Sequence, residues 1–443
     1  MLYEFSVKNY KSFAEEAVFS MAKAPKQKGL DYSILTEKCS KNKYEGLSSS
    51  VIYGPNAAGK TNIIGAMDVL RSIILRGHIR NTEDDNSPNK AVFSLELIPN
   101  NTLPNKEPVC FCIKFIENNA FIEYDLELDL GTFLQSKYKR KIISEKLSVD
   151  KHLIFNRTDH VTIGNLENIK NYVPYAQGLG ADYAKDILDN SLDPEELFLT
   201  NGFKLVFSSE LVKLITDWFL KKFMVIYRSD SVQLIRRFSN PNKSMIYVDK
   251  TTNQAAKIFG IGSGSLGYFR NKEDGTALLC SMIKTSDNNN VALVADIFES
   301  YGTIRFVNLF PLVIKAIQTG STLVVDEFDA SIHPMALMNI INIFHNDEIN
   351  IHHAQLIFNT HNPIFLNSNL FRRDEIKFTE RDDAGSQLYS LSDFGTSGPN
   401  GVRKNEDYMN NYFVNRYGAI KDIDFAPIFE ELMSREAEVT QDE

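Results

Sequence analysis

The feature that most constrains this chain is the stretch Ser49-Ser50-Val51-Ile52-Tyr53-Gly54-Pro55-Asn56-Ala57-Ala58-Gly59-Lys60-Thr61-Asn62, an apolar run, a glycine-bounded loop and then a helical pattern. Gly54 and Gly59 let the backbone curl so that successive N–H groups face inward, and the helix that follows adds its positive end to the same cavity. The spacing is that of a phosphate-binding loop, with Lys60 placed to reach terminal phosphates and Thr61 placed to ligate Mg²⁺. Ile63, Ile64, Met67, Leu70, Ile73 and Ile74 follow at helical spacing, and Val51 to Tyr53 read as the strand before the loop. Residues Gly54 to Asn62 are therefore the expected nucleotide-binding set.

Chemistry returns in the second half. Thr322-Leu323-Val324-Val325-Asp326-Glu327 is an apolar run that ends in two carboxylates, the pattern of a buried parallel strand delivering acids to the sheet's C-terminal edge. Asp326 is expected at the Mg²⁺ water shell and Glu327 as the base for the attacking water, because phosphate hydrolysis needs a positioned base more than covalent help. A second apolar strand, Gln355 to Phe358, runs into Asn359-Thr360-His361, and His361 there can hydrogen-bond the γ-phosphate or the water. Ser300 and the N–H of Gly302 open a helical pattern and form a further anion site, or only a helix cap. Pro311 inside that pattern predicts a kink or an interruption.

Around these motifs, 443 residues with 43% hydrophobic and 24% charged residues describe an ordinary globular chain of two or three domains, or one with a large insertion. No apolar run reaches a membrane span, and Glu4, Lys8 and Lys11 near the start differ from an export signal, so a cytoplasmic location is expected. The net charge of −9 does not advertise nucleic-acid binding. Lys137, Lys139, Arg140, Lys141 and Lys146 are read as a solvated run flanking a strand, and Cys110 and Cys112 as buried thiols on one strand face. Leu2 to Phe13 predicts a half-buried strand pairing near the phosphate loop, and Ala91 to Ile98, Val109 to Ile116, Ala120 to Leu130 and His152 to Phe155 predict an antiparallel layer. From about Asn165 to Leu220 the pattern turns helical and suggests an inserted arm, while Gly260 to Gly267 reads as a flexible loop. Asp382-Asp383-Ala384-Gly385 is a hairpin turn.

These segments together resemble the AAA15 group of ABC-type ATPases, relatives of the RecF, SMC and Rad50 heads and of the overcoming-lysogenization-defect ATPases. The resemblance runs from Val7-Lys8-Asn9-Tyr10-Lys11-Ser12-Phe13 through the phosphate loop and Glu299-Ser300-Tyr301-Gly302-Thr303 to Asp326-Glu327-Phe328-Asp329-Ala330-Ser331-Ile332-His333-Pro334, then Thr360-His361 and the tail Asn411 to Ile420. It implies an α/β, ABC-type P-loop NTPase head with a mixed or antiparallel β layer and an inserted helical arm. The implied division is an ATP-binding lobe over 1–164, a helical insertion over 165–275, and a C-terminal lobe over 276–443 carrying the signature serine, the acids, the switch histidine and the tail.

The resemblance further implies ATP and Mg²⁺ as cofactors, slow ATP hydrolysis, and a head-to-tail dimer or larger assembly. In such a dimer Ser300 and Gly302 contact the nucleotide of the partner head, with Asp329 and Ser331 at the same interface. Members of the group resemble ATPase subunits of antiphage systems, which implies a separately encoded, nuclease-like effector and a phage-derived trigger. The alternative is a RecF-like repair ATPase binding DNA across joined heads, and a third reading is a nucleotide-gated scaffold with negligible hydrolysis. Tyr301 departs from the glycine found in transporters, and no glutamine-containing loop can be placed.

Overall fold

The computed structural model describes the chain apart from residues 26, 28, 40–41, 81–94, 134, 136–137, 173–191, 228–231, 236, 239, 241, 261–264, 272, 398–400, 422 and 440–443. Two large sheets organise it. The core sheet has six strands in the order Phe223–Ile226, Thr322–Val325, Gln355–Asn359, Ser49–Tyr53, Ile376–Asp382 and Gly385–Ser390. The first five run parallel and the last returns as an antiparallel hairpin. Its three middle strands are buried along their whole lengths, which is why they read as continuous apolar runs rather than alternating ones. The phosphate-loop strand and the acid strand are separated by one strand, the one that ends in Asn359 and leads to His361.

The second sheet is the expected antiparallel layer. Its seven strands lie in the order Val161–Ile163, His152–Arg157, Lys141–Val149, Ala120–Asp129, Val109–Glu117, Leu2–Lys8 and Ala17–Ser20. Helix Lys60–Arg76 fills the space between the sheets, and Ile63, Ile64, Met67, Leu70, Ile73 and Ile74 join one core with Ile113 and Phe111 on one side and Ile52, Val324 and Ile357 on the other. The opposite face of the core sheet is covered by Tyr301–Thr319 and Pro334–His345, through Val307, Leu309, Leu337 and Ile341. Gln355, fully buried, stitches the sheets together. Its side-chain oxygen accepts from the Leu2 amide at 2.6 Å, and its nitrogen donates to the Leu2 and Leu47 carbonyls at 3.0 and 2.9 Å.

Several expectations need correction. Strand Leu2–Lys8 pairs within the antiparallel sheet, and it is the turn after it that meets the phosphate loop: Asn62 Nδ2 donates to Ser12 Oγ at 2.7 Å. Lys141–Val149 is a strand in its own right; Lys141 and Lys146 stand 3.8 and 3.6 Å from Asp129 and Asp125, and Lys137 lies outside the described residues. Of the strand expected from Ala91, residues 91–94 lie outside the described residues and 95–98 form no ladder, although Leu95 and Leu97 are buried.

Within 165–275 the described helical turns of Leu199 to Lys222 do not stand off as an arm. Their apolar face, Leu211, Val212, Ile215, Trp218 and Phe219, packs into the core between the sheets, with the Trp218 ring stacked on Phe115 and Phe223. Strand Phe223–Ile226 then enters the core sheet, and Met245–Tyr247 and Ser265–Arg270 begin a four-stranded antiparallel sheet. The loop expected over 260–267 is in part strand, and 261–264 lie outside the described residues. Helix Tyr301–Thr319 runs through Pro311 without interruption, because Phe306, Val307, Leu309, Val313 and Ala316 bury its face on both sides of the proline. Among the described residues no helix is long and apolar enough to cross a membrane.

Candidate functional site

The phosphate loop leaves the core sheet where the buried strand Ser49–Tyr53 stops. Gly54 has φ 153°, and a Cβ there would collide with the carbonyl of Thr379 on the neighbouring strand, so the position requires glycine. Gly59, at φ 111°, caps helix Lys60–Arg76. The loop, the helix start and three residues from other elements enclose a cavity of about 470 Å³, lined by Asn56 to Asn62 together with Glu327, His361 and Arg381. Gly54 and Pro55 act from beneath: their carbonyls accept hydrogen bonds from Lys60 Nζ at 2.7 and 2.9 Å. Burial pushes the Lys60 pKa down to about 8, against the pull of Asp326, Glu327 and Asp329.

The two acids arrive as the parallel strand predicts. Asp326 is buried and its Oδ1 accepts from Thr61 Oγ1 at 3.0 Å. A hydroxyl and a carboxylate side by side at a helix start are hard oxygen donors of the kind Mg²⁺ takes, so Thr61 and Asp326 fit that ion. Glu327 turns out of the strand at φ 50°, leaving its carboxylate exposed to the cavity. Its backbone is gripped from two sides. The amide donates to Asn359 Oδ1, and the carbonyl accepts from the Arg305 guanidinium on helix Tyr301–Thr319.

Asn359 does double service, since its Nδ2 also donates to Asp326 Oδ1 at 2.5 Å. Sequence reasoning passed over it. A signal was present: Val325 pairs with Phe358 in parallel register, so the next residues, Asp326 and Asn359, leave the same edge side by side. Arg305 and Arg381 carried no comparable signal, because their placement depends on helix packing and on the course of a hairpin.

His361 lies at the mouth of the cavity, where burial and then Lys60 hold its pKa below the ordinary histidine value, which keeps the ring neutral near pH 7. Thr360 donates to Asp329 at 2.6 Å and ties the histidine loop to the acid turn. Ser300 and Gly302 are not among the residues lining the cavity. Ser300 caps the helix, its Oγ accepting from the Thr303 amide at 3.1 Å, and a Cβ on Gly302 would collide with the Ser331 carbonyl. Glycine at 302 thus lets the helix start sit on the loop that follows the acids.

The two strand cysteines are not buried as expected. Cys110 and Cys112 are partly buried, short of full burial, along a shallow cavity on the antiparallel sheet. The fold brings Glu123 and Asp125 within 4.8 Å of Cys112. Lys114 and Lys146 already stand 3.8 and 3.6 Å from those carboxylates, and burial raises the Cys112 thiol pKa, so the trio is a protonated thiol among ion pairs.

No curated protein matches the chain. Among solved structures, the SMC head domain from Thermotoga maritima is similar at 13% identity, covering 88% of this chain and 98% of that one with a TM-score of 0.34. The Smc head domain with an extended coiled coil bound to the C-terminal domain of ScpA, from Pyrococcus furiosus, is similar at 12% identity, covering 88% and 96% with a TM-score of 0.37. Similarity of that degree carries no weight for function, and the fold rests on the sheet order and loop geometry above. The protein family described as "AAA domain, putative AbiEii toxin, Type IV TA system" matches residues 49–367, from the phosphate-loop strand to beyond His361, and the chain belongs to that family.

Proposed function

We propose that this P-loop protein binds ATP with Mg²⁺ at the cavity over Gly54 to Asn62, hydrolyses it slowly, and uses ATP to join two heads that control a separate effector in antiphage defence. The observation that carries the reading is the convergence of Thr61, Asp326, Glu327 and His361 from three different strand ends on one phosphate loop. Lys60 and the helix N–H groups bind the phosphate chain. Mg²⁺, when held by Thr61 and Asp326, neutralises charge on the phosphate oxygens. Glu327, exposed to the cavity, takes the proton of the attacking water, and the neutral His361 ring hydrogen-bonds the γ-phosphate or that water.

Two features support joining of heads. Ser300 and Gly302 do not line the cavity of their own chain, and Ile297, Phe298 and Tyr301 beside them are 84%, 50% and 53% exposed. The resemblance to ABC-type heads implies that this capped helix start meets the partner head's phosphates, a ligand a helix N-terminus suits. The family description, with its toxin and toxin–antitoxin terms, supports a role in defence; a phage-derived trigger and a nuclease-like effector on another polypeptide complete the proposal.

The test is the solution mass of Glu327→Gln by light scattering, without nucleotide and with ATP and Mg²⁺, repeated with Ser300→Arg added. A shift to a dimer or larger species only with ATP, lost in the double variant, is expected. A monomer under every condition would contradict the joined-head reading.

A further inference from the structure

The hairpin Ile376–Asp382 and Gly385–Ser390 forms a wall of the nucleotide cavity that no motif in the sequence announces. Its contacts with the phosphate loop are backbone-close. The Thr379 carbonyl occupies the space a side chain at Gly54 would need, and Ser386 Oγ stands where a Cβ on Gly59 would meet it at 2.9 Å. Ser386 is 5% exposed, and its hydroxyl has no protein partner. The Ser386 amide donates to the Ser12 carbonyl at 2.7 Å, which fastens the hairpin to the turn that holds Asn62. From behind, Tyr412 stacks on Phe378 and Tyr389 Oη donates to the Tyr417 carbonyl at 2.8 Å. The wall is thus packed from behind by the C-terminal tail.

Arg381 and Ser386 are direct partners across this hairpin, so their side chains share one face, and Ser386 shows that this face is turned to the loop. Arg381 accordingly lines the same cavity as Glu327 and His361, from a strand on the other side of the phosphate-loop strand from theirs. Among the described residues its guanidinium has neither a carboxylate nor a carbonyl partner, unlike Arg305, Arg372, Arg373 and Arg416, each of which holds one. An arginine that projects into an anion-binding cavity without a protein anion is available for a ligand's.

Resting on the ATP reading above, we infer that Arg381 is a nucleotide-binding residue of this site, contacting the phosphate chain of ATP from the hairpin wall. It acts within its own chain, in contrast to Ser300, and its fork reads oxygen atoms that AMP lacks. The inference assigns the hairpin a part in binding: a nucleotide held by Arg381 is clamped between the loop and a wall that the C-terminal tail braces.

The experiment is equilibrium titration of the full chain with mant-labelled ADP, a non-hydrolysable ATP analogue and AMP, using wild type, Arg381→Ala, Arg381→Lys and Lys60→Ala. Arg381→Ala should weaken the ATP analogue and ADP by about ten- to a hundredfold, the worth of a hydrogen bond to a charged group, and should weaken AMP less. Arg381→Lys should recover part of the loss. Binding by Arg381→Ala within about twofold of wild type, while Lys60→Ala has lost it, would overturn the inference and leave the ATP site standing. An equal loss for AMP and the ATP analogue would place the guanidinium at the α-phosphate, ribose or base and overturn its assignment to the β- and γ-phosphate oxygens. A wild-type chain that binds none of the three would overturn the ATP reading and this inference together.

Discussion

In the antiparallel sheet, polar side chains spread over a whole face: Ser6, Lys8, Cys110, Asp125, Glu127 and Lys146 line one shallow cavity, and its lysines are matched by nearby acids. In the core sheet the interiors of the middle strands are apolar and polar groups sit at the strand ends: Ser49, Thr322 and Gln355 at the starts, and at the C-terminal edge Thr61, Asp326 and Asn359, which join through one carboxylate oxygen. The difference follows from strand direction. An antiparallel strand can wet one face, whereas a parallel strand covered by helices on both sides can place polar chemistry only at its end. Charge spread over a wet face is screened and neutralised by its neighbours. A charge at a dry edge is itself perturbed by burial, which lowers the pKa of Lys60 against the opposing pull of Asp326, Glu327 and Asp329.

Substitutions at the two sheets should therefore differ sharply in effect. Asn359→Ala removes the bond to Asp326 and frees the Glu327 amide, and it should lower ATP turnover by about ten- to a hundredfold while nucleotide binding persists, measured by phosphate release beside equilibrium titration. An unchanged rate would mean that the acid turn holds its shape without the asparagine.

Proton linkage sharpens the contrast further. Lys60 in the free chain gives up its proton near pH 8, and phosphates beside it raise that value, so binding takes up a proton above pH 8. Nucleotide affinity should fall with rising pH above that point, by up to about tenfold per unit, and be insensitive to this group below it. Affinity that rises from pH 8 to 9 would contradict the sign.

Between the sheets, Gln355→Leu strands the Leu2 amide and the Leu2 and Leu47 carbonyls in a fully buried joint. A loss of about 3 kcal/mol in denaturant unfolding is expected. On the wet face, Lys146→Ala breaks a pair 3.6 Å long whose partners are 44% and 30% exposed, and the loss should stay under about 0.5 kcal/mol with turnover unaffected. A larger effect there would erase the distinction drawn between the two sheets.

The same contrast explains what could be read from the residues. The phosphate loop is local: its glycines, lysine and threonine lie within one turn of chain, and the structure closes them around a cavity as the spacing implies. Asp326 and His361 were legible because each follows a buried apolar run directly. Asn359, Arg381 and Gln355 were not, since their roles come from parallel register, from a hairpin face and from the stacking of one sheet on another. Strand Lys141–Val149 hid behind its charges because Glu145, fully buried, points inward to accept from the Phe198 and Leu199 amides at 2.6 and 2.8 Å. An inward acid that caps a distant helical turn breaks the alternation by which strands are recognised. The helical turns before Phe223 were legible as helix, but their burial between the sheets was not, because an amphipathic face states that it will pack and not against what.

The most direct test of the account is ATP turnover by wild type and by Glu327→Gln, each with its ATP affinity measured alongside. A functional edge built on Glu327 predicts turnover reduced by at least about a hundredfold in the variant, with ATP still bound. Turnover within a few-fold of wild type would contradict the assignment of the base, and with it the claim that the core sheet concentrates its chemistry at that edge.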